Sequence, residues 1–593
     1  MGIHSKRRLA PAFARRCMSD VQLTLIDSFD EAQDFMTWLG ERRQSPIAFD
    51  TETGGFDWWR DELRLVQVGD ATHGWAMRWD RWSGLFEDFI RKYDGRLVAH
   101  NFKFDVEFIQ HNGVKLPLHR IDDTRTKAHL IDPARLTGLK PLADALLGPG
   151  MSAGQDRLSQ FFKAHKWGWR DVPHDLMEYW AYAAADTVLT AALDTVLDAQ
   201  LSPVRRDLYD VEMAAQIALM KMEVKGARVD LTYAASKGAE LREWADSCRA
   251  WAHSEYGADF NLGSTSKVTE ILIADGWEPL EWTGTGKPKF TKEIAATVDH
   301  PLAKLVVQVK HAEKMASAYF DNFAGMAEGD ILHPSINPLG ARTGRMSVTR
   351  PALQTIPRDV LVRDAFIPRD GNKLVLIDYN AMEVRLTAHF DASGELGAAV
   401  AREADIHRYT ASQVWQIRQD EVTPLQRQIS KNGIFTTIYG GGAAKLADTV
   451  GIPIADAKRF MAAFKDTYPG VFAFKNLVDE TARANQSSDG WTWMETPRGR
   501  LQRCELHESY KLVNYMIQGS GADVLKTKLG ELDAAGYDAY MVLPVHDEIV
   551  FDVPAEDADE VMRGAMEIMT DDSWRVPLTV SGDIVDRWGD HYR

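Results

Sequence analysis

Val542–Pro554 reads VLPVHDEIVFDVP. Its ends are apolar and β-branched, as in a buried strand, yet His546, Asp547 and Glu548 stand at its centre. Two adjacent carboxylates in a half-buried strand are pushed toward protonation by desolvation and mutual repulsion. Either positive charge answers them, or the chain turns there and faces water. Reading VLPV and EIVFDVP as the arms of a hairpin puts His546 and Asp547 at its turn. A second apolar strand, KLVLIDYN at 373–380, carries Asp378 near its end. If the strands are neighbours, Asp378 joins Asp547. Two Mg²⁺ ions held there would cancel the charge and, with incoming phosphates, build a phosphoryl-transfer site.

The bulk numbers allow several subdomains, because 593 residues exceed what one core organises. Hydrophobic residues make up 45% and charged residues 26%, the balance of an ordinary globular chain. The basic opening, residues 1–20, lacks the apolar segment of a secretory signal and reads as a flexible tail. Cys17, Cys248 and Cys504 form neither a disulfide framework nor a zinc pattern, which fits a reducing cytoplasm. The net charge, 69 − 86 = −17, argues alone against a nucleic-acid partner. Residues 337–369 run against that balance, with six arginines and two aspartates, as phosphate binding would need.

Residues 21–200 alternate strand-like text (SPIAFDTETGG, LRLVQVG, RLVAHNFKFDVEFI) with helical text, an α/β pattern. Residues 203–330 read as mainly helical, and 331–593 mix strands with helices. In the first region, FDTET places Asp50 and Glu52 on one face of a strand. Asp105 follows in HNFKFD, and Tyr182 and Asp186 stand four apart in EYWAYAAAD, on one face if that segment is a helix. Four such carboxylates can hold two divalent cations about 3.5–4 Å apart, as phosphodiester cleavage requires. An isolated D-x-E is commonly an exposed strand edge; three acidic segments in order are harder to dismiss. They resemble the three motifs of proofreading 3′–5′ exonucleases with a ribonuclease-H-like fold. That resemblance implies metal ligation by Asp50, Glu52, Asp105 and Asp186, with Tyr182 orienting water.

RQISKNGIFTTIYGGG holds Arg427, Lys431, Phe435 and Tyr439 at intervals of four. Each step advances about 400°, so the four line one helix edge, cations before aromatics. Such an edge suits a nucleotide, with phosphates on Arg427 and Lys431 and the sugar and base on the rings. Gly440–Gly442 would end the helix. The alternative is an amphipathic helix with buried aromatics. Cations at a helix N-terminus oppose the macrodipole, so that alternative leaves Arg427 unexplained unless an anion is near.

DYNAMEVR, RQISKNGIFTTIYG and VHDE resemble motifs A, B and C of family A DNA polymerases. HPSINPLGARTGRMSVTRPALQTIPR, DIHRYTA, TYPGV and NYMIQGSGADVLK follow the same family in order. The resemblance covers residues from about 40 onward and implies a multidomain α/β chain. A ribonuclease-H-like exonuclease domain (21–200) would precede a polymerase right hand. That hand would have a mainly α thumb (201–330), an α+β palm with an antiparallel sheet (331–394 and 481–593) and α fingers (395–480). The 5′-nuclease domain of the bacterial enzyme is not matched, and a phage replicative version is expected.

The resemblance assigns roles residue by residue. Asp378 and Asp547, with the Tyr379 carbonyl, would ligate two Mg²⁺ ions, Glu548 standing near; two more would sit at the exonuclease site, with Mn²⁺ as an alternative. Glu383 would exclude the ribose 2′-hydroxyl, and Arg427 and Lys431 would grip the triphosphate, Lys431 also protonating the leaving pyrophosphate. Phe435 would pack on the sugar and Tyr439 gate the templating base. Arg345, Asn514, Gln518 and His546 would touch the minor groove and primer end. The implied partners are primer-template DNA and dNTPs, with a replisome helicase or primase beyond them. The implied state is a monomer in the cytoplasm, that of the host for a phage protein.

Three features depart from the pattern. Tyr510 stands where the family usually has arginine, four residues before Asn514. Gly433 lies inside the nucleotide helix at a cost of about 1 kcal/mol relative to alanine. YGADFNLGSTSK at 256–267 leaves no room for the thioredoxin-binding insertion of some phage relatives. A single-subunit RNA polymerase is opposed by Glu383, Phe435 and the exonuclease motifs. A DNA-binding protein with relic motifs would lack a metal carboxylate, and none is missing.

Overall fold

A computed structural model describes residues 21–151, 153–279, 281–356, 360–402 and 405–593; the basic opening lies outside the described residues. The N-terminal half is built on a six-stranded mixed sheet. Its spatial order is Gln22–Ile26, His73–Arg78, Leu63–Gly69, Ile47–Thr53, Leu97–Ala99 and Ile121–Asp123. The three middle strands pair antiparallel, and the flanking pairs are parallel. Leu63–Gly69 is buried throughout, so its near-continuous apolar text is that of a strand covered on both faces. Helix Met177–Asp198 packs across five of these strands and carries Asp186 to Ile47–Thr53.

One sequence expectation changes here. RLVAHNFKFDVEFI is strand only at Leu97–Ala99 and becomes helix at Phe102–His111. Asn101 makes the switch in the left-handed region (φ 74°), where a short amide side chain is among the few tolerated. Asp105 therefore stands on a helix.

In the C-terminal half a four-stranded antiparallel sheet runs Met541–Val545, Glu548–Pro554, Asn372–Tyr379, Val580–Val585. The quoted hairpin is as expected: His546 and Asp547 form its two-residue turn, and His546 has φ 58°. Asp378 pairs in register with Glu548, so both side chains leave one face of the sheet beside the turn. Residues 231–326 are mainly helical, with Leu231–Tyr256 packed on Pro301–Met315.

Helix Pro203–Lys225 joins the halves. Ser202 caps it by accepting from the Arg205 amide, and Pro203 fits its first turn, where no amide partner is lost. It ends at Gly226 (φ 65°), where an added Cβ would meet the Leu332 carbonyl. Along it, Glu212 is wholly buried and meets Arg500 and Lys526; Arg500 also bonds Asp523 at 2.7 Å. Burial alone would raise the Glu212 carboxyl, but Lys526 and Arg500 hold it below the ordinary carboxylate range. Its two cations match its two carboxylates, the balance buried charges require.

His129, on helix Thr124–Ile131, sits over this cluster and donates from Nε2 to the Ala341 carbonyl at 3.2 Å. Burial, then Arg500 and Lys526, push its pKa from 6.5 to about 3. Above pH 6.5 both folded and unfolded chains keep it neutral. Below that value only the unfolded chain takes up a proton, so stability is lost as pH falls. The loss is about 1.4 kcal/mol per pH unit until the folded pKa is reached. His129→Gln should therefore flatten the fall in melting temperature between pH 6.5 and 5, and an undiminished fall would remove His129 as its cause.

Candidate functional site

Two acidic centres emerge. In the N-terminal half, carboxylate oxygens of Asp50, Glu52 and Asp186 all lie within 4.8 Å of one another. Burial raises the Asp50 pKa to about 7 against the pull of Lys140. Burial, then the neighbouring Asp50, raise Glu52 well above the ordinary carboxylate range. Asp105 stands beside this trio, its Oδ1 accepting from the Thr51 hydroxyl at 2.7 Å, and burial then Asp50 lift its pKa. The structure thus gathers three of the four expected ligands and places the fourth adjacent. Hard carboxylate oxygens at this spacing, with charge unmet, fit a divalent cation of the Mg²⁺ or Mn²⁺ type. Tyr182 shares their side of helix Met177–Asp198.

Sequence reasoning missed Lys140. It is buried at the start of helix Leu139–Leu146, pairs with Asp186, and holds its ammonium 4.2 Å from the centre of the Tyr182 ring. No spacing motif connects it to the acids.

In the C-terminal half, a cavity of about 330 Å³ is walled by Arg345, Glu383, Phe435, Tyr439, His546 and Asp547. Glu383 is held from two sides, by the Arg345 guanidinium and by the Tyr439 hydroxyl, which donates at 2.8 Å. Asp547 is lifted by burial and drawn back by Arg345 and His546. The chain itself answers Glu548: Trp588 Nε1 donates at 3.0 Å and the Tyr592 hydroxyl at 3.1 Å. Arg363 lies against both rings, at 4.3 and 4.1 Å from their centres, and its charge draws the burial-raised Glu548 pKa back. Glu548 thus has protein partners of its own, while Asp547 lines the cavity. Tyr379 ends its strand with its hydroxyl on the Met569 carbonyl at 2.6 Å. Asn514 and Gln518 stand half-buried on helix Lys511–Ala534, whose next turns, Gly521–Lys526, line the cavity.

The nucleotide-like edge forms on helix Pro424–Ile438. A capping box between Thr423 and Gln426 starts it, with Pro424 in the first turn, and Gly440 (φ 72°) follows its end. Arg427, Lys431 and Phe435 are half-buried, and Tyr439 is exposed with its ring 6.0 Å from that of Phe435. The anion near Arg427 is Asp405, at 2.7 Å. His407 joins this edge with its ring 6.1 Å from Phe435; burial, then Lys431 and Arg427, lower its pKa to about 4.

The profile of DNA polymerase family A matches residues 232–590, and that of a 3′–5′ exonuclease matches residues 24–202. A DNA polymerase of Mycobacterium phage L5 is 30% identical, over 96% of this chain and 97% of that one. DNA polymerase I of Pseudomonas aeruginosa is 27% identical, over 93% of this chain and 64% of that one. The fold is similar to a solved structure described as the POL domain of Pol1 from M. smegmatis in complex with DNA primer-template and dNTP. The TM-score is 0.79 at 24% identity, covering 96% of this chain and 99% of that one.

Gly433 has a packing reason. An added Cβ would run into the Phe460 ring, which is buried and stacked on Phe464 at 5.8 Å. Helix propensity alone predicts that Gly433→Ala stabilises by about 1 kcal/mol. Overpacking predicts a loss of about 1–3 kcal/mol instead. The melting temperature should fall in Gly433→Ala and largely recover when Phe460→Leu is added; a rise in the single variant would show that the ring yields freely.

Proposed function

The chain belongs to DNA polymerase family A and carries a 3′–5′ exonuclease domain, and from that premise we propose how its residues divide the work. Divalent metal is required by both domains; the identity Mg²⁺, at two ions per site, is our reading. The observation that carries it is the register of Asp378 against Glu548 beside the His546–Asp547 turn, at the edge of the cavity holding Glu383, Phe435 and Tyr439. Asp378, Asp547 and the Tyr379 carbonyl would hold the polymerase ions, and Asp50, Glu52, Asp105 and Asp186 those of the exonuclease. Bound there, the ions supply activation of the attacking oxygen and neutralisation of charge at the phosphorus.

The chain's own groups do the rest. Arg427 and Lys431 hold the triphosphate of a dNTP, and Lys431 delivers a proton to the departing pyrophosphate. The Arg427–Asp405 pair is about 40% and 33% exposed, so giving it up for phosphate costs little. Phe435 backs the sugar. Glu383, fixed by Arg345 and Tyr439, fills the volume a 2′-hydroxyl would need. Asn514, Gln518, Arg345 and His546 contact the primer-template minor groove. Glu548 acts by supporting the turn from its bonds to Trp588 and Tyr592. In the exonuclease centre Tyr182 orients the attacking water. We assign 21–200 to the exonuclease, 201–330 to the thumb, 331–394 with 481–593 to the palm, and 395–480 to the fingers. Among the described residues no helix is long and apolar enough to cross a membrane. A monomer acting in the host cytoplasm beside a helicase or primase completes the proposal.

Two variants separate the sites on a 5′-labelled primer. Asp50→Ala should abolish 3′ trimming and leave extension intact, whereas Asp547→Ala should do the reverse; equal loss of both activities in either variant would sink the two-centre assignment. Glu383→Ala should admit ribonucleotides, because the side chain that excludes the 2′-hydroxyl is gone. Unchanged discrimination between dNTP and rNTP would place the gate elsewhere.

A further inference from the structure

We infer that Lys140 is a tethered cation of the exonuclease centre: it holds the carboxylates together while no metal is bound, and an entering divalent cation must displace it. This rests on reading that centre as metal-dependent. The argument begins with position. Lys140 is buried, and its ammonium meets Asp186 and the Tyr182 ring, within the field of Asp50 and Glu52. Three carboxylates sharing 4.8 Å cannot all ionise in a buried site without a cation among them. Lys140 is that cation. It is too little to answer three acids, which leaves the site avid for a second positive charge.

The ammonium and a divalent ion then compete for the same Asp186 carboxylate. A lysine is suited to yield: it is a point charge on a flexible four-carbon stem, without the planar fork that fixes arginine. Space exists for the displaced group, because Lys140 and Tyr182 also line a cavity of about 350 Å³ on that side of the domain. Competition makes metal affinity weaker than the carboxylates alone would give. It also keeps the metal-free domain folded and inactive.

The test uses the full chain carrying Asp378→Asn and Asp547→Asn, so that Mn²⁺ reports the exonuclease centre. Free Mn²⁺ is followed by electron paramagnetic resonance with Lys140 and with Lys140→Met. The variant should bind Mn²⁺ about tenfold or more tightly, the scale of an ordinary coupling between competing ligands. Its metal-free melting temperature should drop and recover with Mn²⁺. Equal or weaker binding in the variant, with binding still present in the parent, overturns the role of Lys140 and spares the metal centre. Absence of Mn²⁺ binding in both overturns the metal reading, and this inference with it. A second measurement needs no variant at residue 140: in the parent chain, Mn²⁺ should increase labelling of Lys140 by an amine-reactive reagent, read by mass spectrometry. Unchanged labelling under saturating Mn²⁺ overturns displacement.

Discussion

Carboxylates packed closer than water would leave them are the constraint on which the molecule depends. Each cluster needs positive charge or donors, and the answers differ. Glu212 and Asp523 meet Arg500 and Lys526 in a wholly buried set, and the Glu212 pKa falls below the ordinary range despite burial. Asp50, Glu52 and Asp105 meet far less charge than they carry, and burial leaves their pKa values raised. A paired cluster is a structural joint. An underpaired one is strained until a cation arrives, and that excess of negative charge is what makes it a site.

The polymerase centre shows both answers in adjacent residues. Glu548 is satisfied by Trp588 and Tyr592, so it anchors the hairpin to the C-terminal segment. Asp547, on the turn, has no such donors from that segment and is lifted by burial. The division follows from position: Glu548, on the strand, meets Trp588 and Tyr592, while Asp547, on the turn, lines the cavity. Glu383 is a third case. Two partners of opposite character, a guanidinium and a phenol, fix its carboxylate, and a side chain that must act as a wall needs such double anchorage.

What the sequence disclosed was local. The strand–turn–strand of VLPVHDEIVFDVP, the D-x-E on one strand face, and the edge from Arg427 to Tyr439 all follow from periods of two and 3.6 residues. Those periods place residues on faces but do not say what faces them. Lys140 is far in sequence from Asp186, and nothing in GLKPLAD marks it as an ion partner. The donors to Glu548 come from the last six residues, Asp405 answers Arg427 from the cap of another helix, and Phe460 explains Gly433. The helix start at Phe102 was hidden because Asn101 in the left-handed region breaks an apolar run that otherwise reads as strand.

The buried joint also governs how the two centres can cooperate. Helix Pro203–Lys225 packs on the helices carrying Asp105 and His129, and on helix Lys511–Ala534. The latter supplies Asp523 and Lys526 to the joint and Gly521 to the cavity wall. The buried pair Lys103–Glu223 adds to the joint from the N-terminal half, whereas Arg205 with Glu495 and Arg350 with Asp57 are partly exposed ion pairs. Such pairs contribute about 0–1 kcal/mol each and exchange easily. Breaking the buried set would strand a charge away from water, at a cost of about 3–5 kcal/mol. The joint therefore fixes the spacing of the two centres, while the surface bridges can open and close around it. A primer end that leaves one centre for the other must travel the distance itself, since the protein cannot cheaply bring the centres together.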